Sequence, residues 1–189
     1  RGAGRARRMT APRRVLCLCG SLRRLSSNRA ALQAAQQLAP PGLQLALYDG
    51  LGTLPLFNPD DEERGPLPPP VRDLRRAVGA ADALLIACPE YAHGVPGAFK
   101  NLLDWLVGSP DFPGKPVLLL NTAARGSYHA QEALAEILST MSAQLLAAQP
   151  VTVSLPGAGC SVTQVLESAD RCAELQVALR VLVEALAAD

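Results

Sequence analysis

Short apolar runs alternate with helix-periodic segments five times along this 189-residue chain, and that alternation constrains the fold more than any other feature. The runs Arg14–Cys19, Leu43–Tyr48, Ala83–Cys88, Pro116–Asn121 and Gln149–Leu155 read as strands. Helices are expected over Asn28–Leu38, Val71–Gly79, Pro96–Val107, His129–Met141 and Thr163–Ala187. Phe99, Leu102, Leu103 and Leu106 recur at i, i+3, i+4 and i+7, as do Leu134, Ile137, Leu138 and Met141. Strands that each lead into a helix imply a parallel sheet covered on both faces.

The expected class is therefore α/β. Five strands suit a flavodoxin-like three-layer sandwich, order 2-1-3-4-5, better than a six-stranded dinucleotide fold. In either order ligands bind beyond the carboxyl ends of the strands. That rule directs attention to the loops after the first, third and fourth strands.

Residues 1–12 form a basic tail before an expected single domain over 13–189. Arg1, Arg5, Arg7 and Arg8 precede Met9, so the tail is either a basic arm or an extension ahead of a natural start at Met9. Without those four arginines, 14 basic residues face 17 acidic ones. A mildly acidic body argues against nucleic-acid binding. No apolar stretch is long enough to span a membrane. Cys17, Cys19, Cys88, Cys160 and Cys172 contain no C-x-x-C pair, and only two histidines are present. No metal site or disulfide framework is expected, and a reducing cytoplasm is the default.

The loop Gly20-Ser-Leu-Arg-Arg-Leu-Ser-Ser-Asn28 enters the first helix. A phosphate is held by main-chain N–H donors, hydroxyls and a cation at a helix N-terminus. Ser21, Ser26 and Ser27 offer hydroxyls, Arg23 a bidentate fork and Asn28 an amide. The plainer reading of the same residues is a loop with Ser26 or Ser27 as N-cap. Neither a Gly-x-Gly-x-x-Gly nor a Walker lysine motif is present. The basic loop also lacks the clustered carboxylates of a phosphorelay receiver.

The loop after the third strand, Cys88-Pro-Glu-Tyr-Ala-His-Gly-Val-Pro-Gly97, is rigid and rich in exposed main-chain groups that can read the edge of a flat heterocycle. Tyr91 offers a stacking or packing surface. His93 is either a solvated loop residue or a catalytic one, and Glu90 either braces the loop or meets another subunit. Lys100 and Asp104 have the spacing of a helical ion pair.

Together the two loops resemble the NADPH-dependent FMN reductases, a family that includes quinone, azo-dye and chromate reductases. Gly20, Ser21, Arg23, Ser26 and Asn28 match its first signature. Pro89, Glu90, Tyr91, Pro96, Gly97, Lys100, Asn101, Asp104 and Trp105 match its second. Ala92 departs, standing where an Asn is common.

The resemblance implies FMN as cofactor and NADPH or NADH as co-substrate. Ser21, Arg23, Ser26, Ser27 and Asn28 would hold the FMN phosphate. Pro89, Glu90, Tyr91, Ala92, His93, Gly94 and Val95 would line the ring, where Ala92 has no side-chain amide to offer the flavin. The loop Asn121–Ser127 would close the other side, with Arg125 a candidate for binding an anionic substrate or a plain surface residue. The flavin would carry the hydride, so no catalytic side chain is required. The small-molecule acceptor would be a quinone or similar oxidant.

The resemblance further implies a homodimer or homotetramer, with Trp105 and Phe112 as candidate interface anchors, although Trp105 reads equally as a core residue. Two rival readings remain: an electron carrier that does not itself oxidise nicotinamide, and a flavin-free scaffold.

Overall fold

The computed structural model describes residues 11–123 and 128–187. Six strands form one parallel sheet: β1 Arg13–Cys19, β2 Leu43–Leu47, β3 Ala83–Ala87, β4 Pro116–Asn121, β5 Gln144–Leu145 and β6 Val151–Thr152. The order is β2-β1-β3-β4-β5, and β6 also pairs with β4. The α-helices are α1 Ser27–Leu38, α2 Asp60–Glu63, α3 Pro69–Gly79, α4 Gly97–Val107, α5 Tyr128–Thr140, α6 Val162–Leu166 and α7 Ala169–Ala187. The flavodoxin-like sandwich and its strand order are as expected.

Strand alternation divides the core into two layers. Val15, Cys17, Cys19, Leu85 and Leu120 face α1, α6 and α7, while Leu16, Leu18, Ile86 and Leu119 face α3, α4 and α5. Ala30, Ala31, Ala34 and Ala35 pack in the same layer as Ala83 and Ala87 of β3. Small side chains on both surfaces let α1 approach the sheet closely, which sets its N-terminus beside the carboxyl ends of β1 and β3. On the other face, Phe99, Leu102, Leu103, Trp105 and Leu106 of α4 are all buried. Each contributes about 1.5–3 kcal/mol by leaving water, which anchors the helix that follows the second motif.

Three expectations are corrected. The fifth strand is not continuous over Gln149–Leu155: Gln144–Leu145 pairs with the start of β4, and Val151–Thr152 pairs with its end. The intervening chain includes Pro150, which has no N–H for a ladder. The last helix is broken into α6 and α7, because Ser161 and Gln164 close a capping box on α6 and the Ser168 hydroxyl accepts from Arg171 N at the start of α7.

Finally, Trp105 and Phe112 are buried within the chain, 0% and 1% exposed, so neither serves as an interface anchor. Trp105 Nε1 donates to Pro55 O at 2.8 Å, and Phe57 meets the indole edge-on at 5.0 Å. Asn101 holds the same segment, accepting from Phe57 N and donating to Pro55 O. These two motif residues thus fasten the chain that follows β2. Lys100 and Asp104 form the expected i, i+4 ion pair at 2.6 Å.

Candidate active site

The loop after β1 begins with a close approach. Gly20 N donates to Ala87 O at 2.9 Å, extending the ladder to β3. A Cβ on Gly20 would collide with Cys88 Sγ and sit 3.1 Å from the Cys88 Cα, so only glycine fits. The chain then turns into α1, whose N-cap is Ser26, with its hydroxyl accepting from Arg29 N. Ser21 Oγ accepts from Arg23 N at 3.2 Å, which leaves its O–H to donate elsewhere.

Ser27 and Asn28 are engaged over long range. The Ser27 hydroxyl donates to Gly157 O and accepts from Gly159 N at 2.9 Å and Cys160 N at 3.0 Å. One donor and two lone pairs are thereby used up. Ser27 accordingly braces the segment 157–160. Asn28 Oδ1 accepts from Thr122 Oγ1 at 2.8 Å, which joins this loop to the one after β4. Its amide N–H donors keep no partner among the described residues.

What faces outward is mostly main chain and cation. Among the described residues, the N–H groups of Ser21, Leu22, Arg24, Leu25, Ser26, Ser27 and Asn28 meet no protein acceptor. Arg23 is exposed, makes no ion pair among the described residues, and lies over Gly159. An anion at the N-terminus of α1 would meet these donors together with the helix dipole.

The loop after β3 is a tight turn. Tyr91 N donates to Gly94 O at 3.1 Å and Gly94 N to Tyr91 O at 3.0 Å. Ala92 and His93 between them have φ of 49° and 59°. This is the two-residue turn that needs positive φ at both central positions and favours Asn or Gly there. The side chain at position 92 is thus constrained first by backbone conformation. The N–H groups of Ala92, His93 and Val95 have no protein partner among the described residues, and Tyr91 is 54% exposed.

The same loop is tied to α5. Glu90 Oε2 accepts from Ala130 N at 2.9 Å, so the carboxylate caps the helix from another loop. The rings of His93 and His129, the two histidines of the chain, lie 4.4 Å apart. Pro89 O accepts weakly from Cys88 Sγ, and Val95 packs against the layer containing α4. Arg125 lies outside the described residues.

Four of the five thiols are buried, and Cys172 is half-buried. Burial pushes Cys17 up to about 12 and raises Cys19, Cys88 and Cys160 as well. Such groups stay protonated and unreactive near neutrality. No group of three metal-ligating side chains occurs among the described residues.

Two cavities define the poles of the sheet. One of about 730 Å³ lies at the amino ends of the strands, among Arg13, Gly42, Asp82 and Val183, away from both loops. Another of about 350 Å³ lies at the carboxyl ends, between the loop after β1 and the chain that follows β2.

Thr122 and the segment 157–160 carry little signal in the sequence. Their only local mark is the Gly-x-Gly of Gly157 and Gly159, which have φ of 152° and 94°.

Residues 13–156 match the family model described as NADPH-dependent FMN reductase. An NAD(P)H-dependent FMN reductase of Pseudomonas aeruginosa is 43% identical over 129 residues, covering 64% of this chain and 69% of that protein. A quinone reductase of Escherichia coli is 34% identical over 128 residues, covering 64% and 68%. The structure of FerB, a flavoenzyme NAD(P)H:acceptor oxidoreductase from Paracoccus denitrificans, superposes with a TM-score of 0.66 at 28% identity, covering 92% of this chain and 94% of that one. With the matched region running from the start of β1 past both loops, the chain belongs to the NADPH-dependent FMN reductase family.

Proposed function

We propose that the chain is an FMN-dependent NAD(P)H oxidoreductase that reduces a quinone or a similar small oxidised acceptor. The observation that carries this reading is the pair of donor-rich loops at the carboxyl ends of β1 and β3, cross-braced by Asn28–Thr122 and Glu90–Ala130. When bound, FMN supplies the two-electron chemistry between the reduced nicotinamide and the acceptor.

The donor set fits such a group. Arg23 and the N–H groups at the start of α1 complement a phosphate, and the O–H of Ser21, the capping Ser26 and the amide N–H groups of Asn28 complete that end. Ser27 contributes its main-chain N–H and, through its hydroxyl, the position of the segment 157–160. Pro89, Glu90, Tyr91, Ala92, His93, Gly94 and Val95 present main-chain groups and one exposed ring to the flavin edge. Arg125 is proposed to meet an anionic substrate. Positioning supplies the rate, and no side-chain acid–base dyad is required.

Homo-oligomeric assembly is proposed from the family resemblance, and the exposed Leu22, Leu25, Leu56, Tyr91 and Tyr128 are apolar side chains that a partner subunit could cover. A cytoplasmic site of action is supported by five unpaired cysteines, since such thiols persist in reducing compartments. No described helix is long and apolar enough to cross a membrane.

The test is FMN titration followed by anaerobic mixing with NADPH and then a quinone. Binding, bleaching of the yellow colour and reoxidation by quinone are expected. Arg23→Ala is expected to weaken FMN binding at least tenfold. Failure to bind FMN would overturn the reading, and a bound flavin that neither nicotinamide reduces would make the protein an electron carrier.

A further inference from the structure

The break in the fifth strand leaves a cavity. Leu146 N donates to Val117 O and Val153 N to Asn121 O, each at 2.9 Å, so the chain is pinned to β4 on both sides of the break. Between β5 and β6 run five residues, 146–150, opposite only Leu118 and Leu119 of β4. The surplus bows away from β4, and about 240 Å³ opens between it and α5. Extra residues of this kind re-aim side chains and recur beside active sites.

Gln131 lines this cavity although only 6% of it is exposed. Its Nε2 donates to Leu120 O at 3.3 Å. A carbonyl only accepts, so that bond fixes which end of the amide is which. The Oε1 is buried and has no hydrogen-bond partner among the described residues. An acceptor kept from water without a donor costs free energy, and each such group in a folded protein calls for an explanation. The terminal torsion of a glutamine is soft, so a small turn presents Oε1 to a donor in the cavity.

Tyr128, Glu132 and Ala135 stand at i, i+4 and i+7 and line the same space from one face of α5. Glu132 is the one charged side chain among the described lining residues, and it makes no ion pair among them. The bowed segment adds the apolar surfaces of Ala148 and Pro150 and the amide of Gln149. The volume exceeds the roughly 150 Å³ that admits a benzene ring. A flat group therefore fits, and a carboxylate with amide oxygens selects one that is positive and rich in N–H donors. Amidinium and guanidinium groups meet both conditions, since their parallel N–H groups pair with a carboxylate in two-point fashion.

We propose that this cavity binds a small planar cation of the amidinium or guanidinium class. Glu132 pairs with its charge, Gln131 Oε1 accepts one of its N–H groups, and Ala135, Ala148 and Pro150 pack on its flat body. The site lies on the β5–β6 side of β4, whereas the loops after β1 and β3 lie on the other. It shares no residue with Gly20–Asn28 or Pro89–Val95, and so goes beyond the reductase reading.

The experiment titrates the full chain, with and without FMN, with benzamidine, benzamide and benzoate in turn. Binding is read by calorimetry and by the side-chain amide resonance of Gln131. Benzamidine is expected to shift that resonance and to bind about tenfold more tightly than benzamide, while benzoate does not bind. Glu132→Gln, a change at the exposed rim, should bring benzamidine down to the level of benzamide. Gln131→Leu should weaken benzamidine about fivefold, with urea unfolding to show that the variant is folded. Acetylarginine amide reads the source of the cation. If it binds as tightly as benzamidine, the site takes an arginine side chain of a polypeptide; if more weakly, a free small cation. Equal affinity for benzamidine and benzamide, or benzamidine binding that survives both substitutions, would overturn the proposal. So would binding that leaves the Gln131 resonance unmoved. No arm needs electron transfer, so failure here and failure of the reductase reading are distinguishable.

Discussion

The carboxylate of Glu90 accepts a hydrogen bond from the main-chain N–H of Ala130 at 2.9 Å, across 40 residues of sequence. One side chain thereby closes the loop after β3 onto the N-terminus of α5. An anionic cap at a helix N-terminus contributes about 0.5–2 kcal/mol. Glu90→Ala should lower stability by that amount and weaken FMN binding at the ring side, while Glu90→Gln should retain most of the stability. Urea unfolding and flavin titration check both. Unchanged flavin affinity in Glu90→Ala would detach this brace from the site.

Ala92 occupies a left-handed conformation, with φ of 49°, in a turn that prefers Asn or Gly. Replacing it relieves strain of about 1 kcal/mol. Ala92→Gly and Ala92→Asn should both raise the unfolding midpoint. If only Asn improves FMN affinity, the side-chain amide matters in addition to the turn. A lower midpoint in both variants would sink the conformational reading.

Gly20→Ala drives a methyl group into Cys88, with the Cys88 Cα only 3.1 Å away. Overpacking of this kind costs about 1–3 kcal/mol, and here it also displaces the start of the phosphate-side loop. Combining it with Cys88→Ala should recover part of the stability, because the sulfur clash disappears and the main-chain clash remains. Full recovery of flavin binding in the double variant would show the sulfur alone to be limiting.

Ser27→Ala removes the shared partner of Gly159 N and Cys160 N. Two main-chain donors are then left unpaired, at about 1–3 kcal/mol for each group kept from water. The expected signature is faster hydrogen exchange at Gly159 and Cys160, with a moderate loss of FMN affinity. Unaltered exchange there would remove the assigned bracing role.

The thiols link stability to pH with a definite sign. Burial holds Cys17 at about 12, well above its ordinary 9.0, and raises Cys88 in the same direction. The folded state therefore keeps protons that the unfolded chain gives up. Their contribution is fully present below about pH 9 and is lost as pH rises toward 12. Unfolding midpoints should fall across that window, and Cys17→Ala should flatten the decline. In native protein at pH 8, a thiol reagent should modify half-buried Cys172 well before the four buried cysteines.

The sequence by itself determined the alternation of strands and helices, the two-sided burial of the sheet and the carboxyl-end loops that carry both motifs. These are local properties, because side-chain periodicity reports directly which face of an element is buried. It also showed the donor chemistry of Gly20–Asn28. Only the tertiary structure decided what those donors do. Ser27 spends its hydroxyl on residues 130 and more positions away, Asn28 its amide oxygen on Thr122, and Glu90 its carboxylate on the start of another helix.

A hydrogen bond between distant loops leaves no period in either segment, so such partners become visible only after the chain has folded. The same reason governs Trp105, whose helical position marks it as apolar but not as bound inward to Pro55. It governs the fifth strand too, where an apolar run beginning at Gln149 gave no sign that Gln144–Leu145 would claim the first part of β4. Periodicity chose the architecture, and long-range satisfaction of polar groups chose which residues of each motif remain available to a ligand.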